Sequence, residues 1–545
     1  MRSKRNIVSL AAVSILFCAA GCDRSVALSA SLRPAADSGR SVELSQIGLS
    51  TDPSDAAGNL AKIEAAARNA DRQGVPVHGY RATIPVSGEI VWPARVDFHA
   101  DGMTITANGA MGQFPDKAVF YLAGSAIDLG ALGDQTNARS MRFTLSSPPP
   151  SSVTRGSLIF LVNKAGGSFN AARLQYYYAG EAVVVQGVAG RTVSIQAPLR
   201  YSYPAKTTKV SLINPTTATI DGLNVQGVSN NSSVDPIKVR FGGPLTRLSS
   251  VYGYQSNHSG IEIWESYGVE VRDSRGNTSG SPLAGTNYGI LLANVSNVKI
   301  IGGAYIGQRH GVAIGGSGGD YDITNFNSGA TNASIGTTPQ EKPVVAADMH
   351  GNCDACYYIG NDIRGGLEIG GVNNRIIDNR ITTGTAYNLS QYCILVSELL
   401  GLENHISHNV CNIRSNSAKE IYAAGVDFKS YKGGLMADTT LGGTMDLTDN
   451  TFNFYVTSGN SSLVYVFAAN INNTTAYPLN LDLSGSTFHF LGSDRGFTTH
   501  GAYIYSTHGG QHWTNVNLSN VSGDVSFDLR GVGHVKADNY RAKFR

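Results

Sequence analysis

Residues 366–382 read GLEIGGVNNRIIDNRIT. Leu367 and Ile369 flank Glu368 in a first apolar phrase; after a polar turn, Ile376, Asn379 and Ile381 form a second. A period of two means short strands that each bury one face. No helical pattern separates these strands, and the Asn-Gly-type turns of two-residue hairpins are missing, so a sandwich of hairpins does not account for them.

The same two phrases recur outward in both directions. First phrases are Gly260-Ile-Glu-Ile-Trp264, Gly289-Ile-Leu-Leu-Ala293, Gly311-Val-Ala-Ile-Gly315, Ala346-Ala-Asp-Met-His350, Cys393-Ile-Leu-Val-Ser397 and Gly425-Val-Asp-Phe-Lys429. Second phrases centre on Asn361, Asn379, Asn409 and Asn450, each flanked by apolar residues such as Tyr358 and Ile363 or Ile406 and Cys411. An Asn at a bend can bond the backbone of its own or the neighbouring repeat. The steps run from about 20 to 35 residues, the size of one supersecondary unit. Such units wind as coils in which each strand pairs in parallel with its copy one turn later.

The expected fold is therefore all-β, a right-handed single-stranded parallel β-helix, and this stretch resembles the pectate-lyase-like superfamily of polysaccharide-active proteins. Near the amino terminus, Leu60, Ile63, Ala67 and Ala70 lie at helical spacing within 55–72, with Ser54 or Asp55 as N-cap. A short helix before such strands is similar to the cap of β-helical polysaccharide enzymes and phage tailspikes. An open coil end would expose apolar side chains and unpaired strand edges, so a cap is needed. The expected divisions are a leader (1–21), a tether (22–50), cap and first coils (51–210), and β-helix body with carboxyl-terminal coils (211–545). Strand-like phrases such as Ala182-Val-Val-Val185 continue through 95–210 without a readable register.

Composition narrows the classes. The chain has 545 residues, 63 of them Gly, and only 15% charged residues, which excludes coiled coils, polytopic membrane proteins and charged disordered tails. Without residues 1–21, 39 basic residues face 40 acidic ones, so there is no electrostatic footprint for nucleic acid. The leader has a basic start and an apolar run from Ile7 to Gly21, too short to span a bilayer comfortably. Ala19-Ala20-Gly21-Cys22 resembles the lipobox of bacterial lipoproteins, although Ala19 stands where Leu is usual. The resemblance implies acylation of Cys22, export and attachment to a bacterial membrane, at the periplasm or the cell surface. In that oxidising setting Cys353, Cys356, Cys393 and Cys411 are expected as a local disulfide or buried thiols, their pairing open.

Outward residues of stacked strands form columns, with neighbours about 4.8 Å apart. Glu262, Leu291, Ala313, Asp348, Glu368, Leu395 and Asp427 make one column; Trp264, His350 and Lys429 stand in the next. Four acids in seven positions exceed the composition's share of about half a residue. Asp348 and Glu368 fall on adjacent rungs, where like charges should raise one carboxyl's pKa and make it a general acid. Adjacent rungs suit the roughly 5 Å separation of a retaining glycosidase; Glu368 and Asp427, two rungs apart, suit inversion. The segment from about 326 to 345 reads as a loop overhanging this cleft.

Arg309-His310-Gly311 and Asp348-Met349-His350 resemble the Arg-His and Asp-x-His phrases of β-helical polysaccharide-degrading proteins, including tailspike-like depolymerases. Asp348-Met-His-Gly351 also resembles the Asp-Pro-His-Asp phrase of periplasmic alginate epimerases, with Met349 and Gly351 as departures. The first expectation is cleavage of glycosidic bonds in an extracellular or periplasmic exopolysaccharide. Asp348 and Glu368 would be acid and base or nucleophile, and His350, His310 and Arg309 would orient or activate substrate. Glu262, Trp264, Asp427, Lys429 and Tyr254 are candidate substrate contacts, with Tyr252, Tyr267 and Tyr387 as further turn aromatics. A lyase or C5-epimerase acting on a uronate polymer, with His310 or His350 as base, is the second reading, and a non-catalytic glycan-binding β-helix the third. No cofactor is expected, except calcium on Asp348 and Glu368 if the chemistry is that of a lyase. The partners are a polysaccharide and, through the lipid, a membrane, not nucleic acid; a trimer is open by resemblance to tailspikes.

Overall fold

The computed structural model describes residues 40–163, 177–228, 234–279, 286–315, 322–323, 325–337, 345–383, 391–399, 403–415, 421–428, 444–456, 464–473, 479–491, 499–500, 502–506, 513–524, 526–541 and 543–544. Cys22, Tyr387 and Lys429 lie outside them. No helix among the described residues is long and apolar enough to cross a membrane.

The chain begins its fold with a cap. Asp52 accepts the Ser54 amide at 2.8 Å and starts a 3-10 turn, Pro53–Asp55, that runs into helix α1, Ala56–Gln73. The capping side chain is thus Asp52, upstream of the expected Ser54 or Asp55. Ile63, Ala66, Ala67 and Ala70 form the helix's buried stripe. Gly74 ends it at φ 67°, where the missing Cβ removes the steric cost. The helix lies on Thr83–Val86 and Ile90–Trp92 and closes the amino-terminal end of the stack.

After the cap the chain winds into a right-handed parallel β-helix, with parallel sheets of 15, 13 and 15 strands among the described residues. One coil places Tyr357–Ile359 in the first sheet, Asp362–Arg364 in the second and Gly366–Gly371 in the third. The next coil places Arg375–Ile377, Arg380–Thr383 and Gln391–Leu399 in parallel register beside them. The phrase around each Asn therefore spans two sheets, with the Asn at the bend. Asn379 Oδ1 accepts the Asn361 amide at 2.9 Å, Asn409 Oδ1 that of Asn379 at 3.0 Å, and Asn450 Oδ1 that of Asn409 at 3.0 Å. This buried ladder satisfies backbone groups that turn away from the sheets. Inward residues such as Ile363, Ile369, Ile376 and Ile381 belong to one continuous core.

Cys393 and Cys411 form a disulfide inside that core, between the third sheet and the second sheet of the following coil. Cys353 and Cys356 are buried thiols.

Two stretches differ from the sequence expectation. Gly329–Thr331 and Ser334–Thr337, read as part of an overhanging loop, are strands of the first and second sheets. Their inward residues, Ala330 and Ile335, are too small or too sparse to show as an alternation, yet they fill the coil. Between Ala118–Ala123 and Thr219–Asp221 the winding is interrupted by an antiparallel insert with six strands among the described residues, from Ser125–Ala131 to Thr208–Asn214. Phe143, Leu145, Ile159, Leu161 and Val185 belong to the insert's own core. Its other face, Leu158, Phe160, Val184 and Ile213, packs on Phe241 and Tyr267 of the β-helix. Ala182-Val-Val-Val185 is thus a strand of the insert. Period-two alternation is common to both kinds of strand and could not separate them.

Candidate active site

The outer face of the third sheet carries the titratable residues. Cα pairing runs Lys238, Glu262, Leu291, Ala313, Asp348, Glu368, Leu395 and Asp427, one rung to the next. This is the column read from the sequence, with Lys238 added at its start. In the neighbouring column Trp264 stands between Arg240 and Ala293. His350 follows two residues after Asp348, with its amide on the Ile314 carbonyl at 3.0 Å.

Asp348 is the centre of a compact group. Its Oδ2 lies 3.0 Å from His350 Nε2 and 3.3 Å from His310 Nε2. His310 Nδ1 sits 2.7 Å from the Val345 carbonyl, so that nitrogen carries a proton. The His310 ring also stacks on Tyr288 (centroids 5.6 Å, 12°), and the Tyr288 hydroxyl accepts from Arg309 Nη1 at 3.4 Å. Burial pushes the His310 imidazole down to about 4, overriding the attraction of Asp348. Burial alone would raise the Asp348 carboxyl, but the imidazoles of His350 and His310, with Arg309, hold it well below the ordinary range. Of the Asp348–Glu368 pair, one carboxyl of which is expected to be raised, Asp348 is not that one. His350 is the more exposed of the two imidazoles (side chain 19% against 4%).

A second buried group lies three rungs before Asp348. Glu262 Oε2 is 2.8 Å from Lys238 Nζ, and Asp235 Oδ1 accepts from His258 Nδ1 at 2.9 Å and from Ser259 Oγ at 2.8 Å. Despite burial, Asp235 carries His258 up to about 9. Burial, with the Asp235 charge beside it, pushes Glu262 up. Asp235, His258 and Glu262 offer ligand atoms within 4.8 Å of one another, a spacing open to a metal ion. The Lys238 ammonium already supplies a cation there, and His258 Nδ1 is spent on Asp235, so the group is closed by its own charges. Between the two groups, Tyr288, Leu291, Ala293 and Ala313 make an apolar floor with Trp264 packed against it.

The structure thus brings Asp348, His350, His310 and Arg309 together and puts Glu368 on the next rung. Glu262 is 3% exposed and tied to Lys238, which leaves it as support for the face rather than a contact for a ligand. Trp264 is partly buried, with Lys238 Nζ 4.6 Å and the Arg240 guanidinium 4.4 Å from its ring. Asp427 is buried two rungs beyond Glu368. Tyr254 is not in a turn beside the cleft. It lies in Tyr252–Ser256 of the second sheet, stacked on Tyr252 at 4.7 Å, because the alternation of Gly253 with outward tyrosines makes this segment a strand. Tyr267 packs beneath the insert. Sequence reading missed Lys238, Asp235, His258 and Tyr288. One signal was available: Ser259, Tyr288 and His310 each precede the glycine that opens a first phrase, and they pair rung to rung.

Residues 254–426 match the family model described as Gp49, pectin lyase-like. The fold is a right-handed parallel β-helix. The matched segment holds Arg309, His310, Asp348, His350 and Glu368. Among solved structures, this β-helix is similar to the tailspike gp49 of Pseudomonas phage LKA1, at 17% identity and a TM-score of 0.65, over 92% of this chain and 84% of that one. It is similar to the Pseudomonas phage phi297 tailspike gp61, at 17% identity and a TM-score of 0.64, over 89% and 80%. It also resembles the gp54 tailspike of Acinetobacter baumannii bacteriophage AP22, solved in complex with A. baumannii capsular saccharide, at 17% identity and a TM-score of 0.58, over 89% and 76%. No curated protein matches the sequence. At these identities the likeness carries the fold.

Proposed function

We propose that this β-helix cleaves an acidic polysaccharide by β-elimination at a uronate, with His350 as base. The observation that carries the reading is the buried Asp348 carboxylate, held ionised between two imidazoles of which His350 is the more exposed. Asp348 orients His350 and stabilises the imidazolium that forms. The His350 lone pair takes the proton from the carbon next to the uronate carboxyl, that C–H electron pair becomes the C=C bond, and the glycosidic C–O bond breaks. The leaving oxygen takes its proton from water. Arg309 neutralises the uronate carboxylate, which makes the adjacent proton removable. Epimerisation would return the proton to the opposite face without breaking the chain.

Hydrolysis is the second reading, and the pairing of Asp348 with Glu368 favours it, since adjacent rungs suit a retaining pair. It ranks lower because Asp348, held low, would have to be the nucleophile, and its 3% exposed carboxylate is closed in by the two imidazoles. Calcium prefers an all-oxygen shell, whereas two imidazole nitrogens surround Asp348 Oδ2, so no step here is routed through an ion.

Incubation with alginate, polygalacturonate and hyaluronate tests the reading. Elimination gives an unsaturated, ultraviolet-absorbing product; new reducing ends without it favour hydrolysis, and changed NMR signals in intact chains favour epimerisation. Intact polymer with retained binding would leave a glycan-binding protein. Export and acylation of Cys22 belong to the same proposal, placing the enzyme where such polymers are found. Light scattering separates a trimer from a monomer.

A further inference from the structure

The turn that begins at His350 is closely packed along its length and thinly held at its end. The His350 amide donates to the Ile314 carbonyl at 3.0 Å, and the Cys353 amide closes the turn on the His350 carbonyl at 3.0 Å. The Cys353 thiol reaches the same Ile314 carbonyl at 3.3 Å. The neighbouring coils are glycine where they meet this turn: a Cβ on Gly315 would stand 3.0 Å from His350 Cβ, and one on Gly370 2.8 Å from the His350 carbonyl carbon. The turn then passes into Cys353–Asp354, a strand of two residues. Among the described residues its ladder is the two-residue pairing with Asn325–Phe326, with a single bridge from Asp354 to Val372. So short a pairing is weak by itself.

The antiparallel insert supplies the hold that the ladder lacks. The Arg200 guanidinium lies 3.8 Å from the centre of the Phe326 ring, its Nε donates to Asp354 Oδ2 at 3.1 Å, and its Nη2 pairs with that same oxygen. One arginine thus grips both strands of the short pair. The Tyr201 hydroxyl also donates to Asp354 Oδ2 at 3.2 Å, and Asn373 Nδ2 donates to Oδ1 at 3.1 Å. Arg200 and Tyr201 are fixed in turn from inside the insert. Glu181, a buried carboxylate with no other task, accepts the Arg200 amide at 3.0 Å, the Tyr201 amide at 3.4 Å and the Tyr203 hydroxyl at 2.9 Å. The insert itself is seated on Phe241 and Tyr267, so the loop bearing these side chains has a firm base. Asp354 is 4% exposed, and a buried carboxylate stripped of its guanidinium is costly, which keeps the clamp closed.

We propose that Arg200, Tyr201 and Asp354 are positioning residues for His350: the insert clamps the Asp354 end of the turn and thereby sets where the imidazole stands against Asp348. This rests on the reading of His350 as base. The three side chains act on geometry, since a displacement of about 1 Å at a reacting group can cost about 10²-fold in rate. Arg200 lies 154 positions before the aspartate it holds, so the insert and the site work as one device.

The experiment uses the full chain with isotope-labelled histidine rings, and alginate, polygalacturonate and hyaluronate as polymers. His350→Ala assigns the His350 ring signal in the NMR spectrum, and His405→Asn assigns that of His405 on the first sheet. Arg200→Ala, Asp354→Asn and the milder Tyr201→Phe should each move the His350 signal and leave the His405 signal in place. Arg200→Lys, which keeps a cation beside Asp354, should return it part of the way. On a polymer that the wild type cleaves, kcat should fall about tenfold in Arg200→Ala and Asp354→Asn while KM stays within about twofold. Melting curves show which variants are folded, and Tyr201→Phe, which removes one hydroxyl, carries the test if a larger change unfolds the chain. An unmoved His350 signal or an unchanged kcat in the folded variants overturns the clamp. A change confined to KM overturns it as well, since it would put the insert in binding rather than in orienting the base. A moved His350 signal in a chain that cleaves none of the polymers sinks the reading of His350 as base and leaves the clamp on its imidazole standing.

Discussion

His350 Nε2 lies 3.0 Å from Asp348 Oδ2, and the second imidazole on that oxygen, His310, is oriented by the Val345 carbonyl. A buried carboxylate that orients a more exposed imidazole is an arrangement for moving one proton. His350→Ala and Asp348→Asn should each lower kcat by about 10²–10⁴-fold. His310→Gln should cost less, since it acts through Asp348. Steady-state kinetics on the cleaved polymer, with melting curves to show folding, checks the order.

The Asp235–His258 pair predicts a pH dependence of stability. His258 has a folded pKa of about 9 against an ordinary 6.5, so its stabilising pairing is fully present below 6.5. It is lost as pH rises through about 9. Tm should therefore fall between pH 6.5 and 9, and His258→Asn should flatten that part of the profile while lowering stability at pH 6.

Removing one rung of the asparagine ladder leaves several buried groups unpaired. Asn379 accepts from the Asn361 amide and side chain and donates to the Tyr358 carbonyl and Asn409 Oδ1. Asn379→Ala should destabilise by about 3 kcal/mol in denaturant unfolding, in line with the cost of unpaired buried polar groups. Asn379→Asp, which cannot donate, should not restore the loss.

The Cys393–Cys411 disulfide closes a sequence separation of 18 residues. Reduction, or Cys393→Ala with Cys411→Ala, should cost about 3 kcal/mol, read from denaturant midpoints with and without reductant. Cys353 and Cys356 should resist thiol reagents until the chain unfolds, since both are buried and burial pushes the Cys353 thiol well up.

Acylation of Cys22 predicts incorporation of labelled palmitate in a bacterial host and recovery of the protein with membranes. Cys22→Ser should abolish the label and release the chain to the soluble fraction; label retained in that variant would remove the lipoprotein reading.

Much of the third sheet's outer face is legible in the sequence. Glu262, Asp348, Glu368 and Asp427 could be aligned because strand alternation and repeat spacing are local, so the register of each coil follows from its own residues and the next coil's. The charge state of the site was not legible. Asp348 is lowered rather than raised because His310 and His350 converge on one carboxylate oxygen, a matter of side-chain direction and burial that spacing does not contain. Lys238, Asp235 and His258 escaped notice because the insert separates their coil from the first strands.

By itself, then, the sequence determined that short strands wind in parallel, which residues face outward, and that an asparagine stands at the bend of several coils, since all of these depend on nearest-neighbour repeats. Only the tertiary structure decided that the described strands from Ser125–Ala131 to Thr208–Asn214 leave the winding as an antiparallel sheet and pack on Phe241 and Tyr267 of the β-helix. It also decided which of the aligned acids are closed by cations and which keeps an imidazole ready. Those outcomes come from contacts such as Arg200 with Asp354, between residues far apart in the chain, whose pairing no local period encodes.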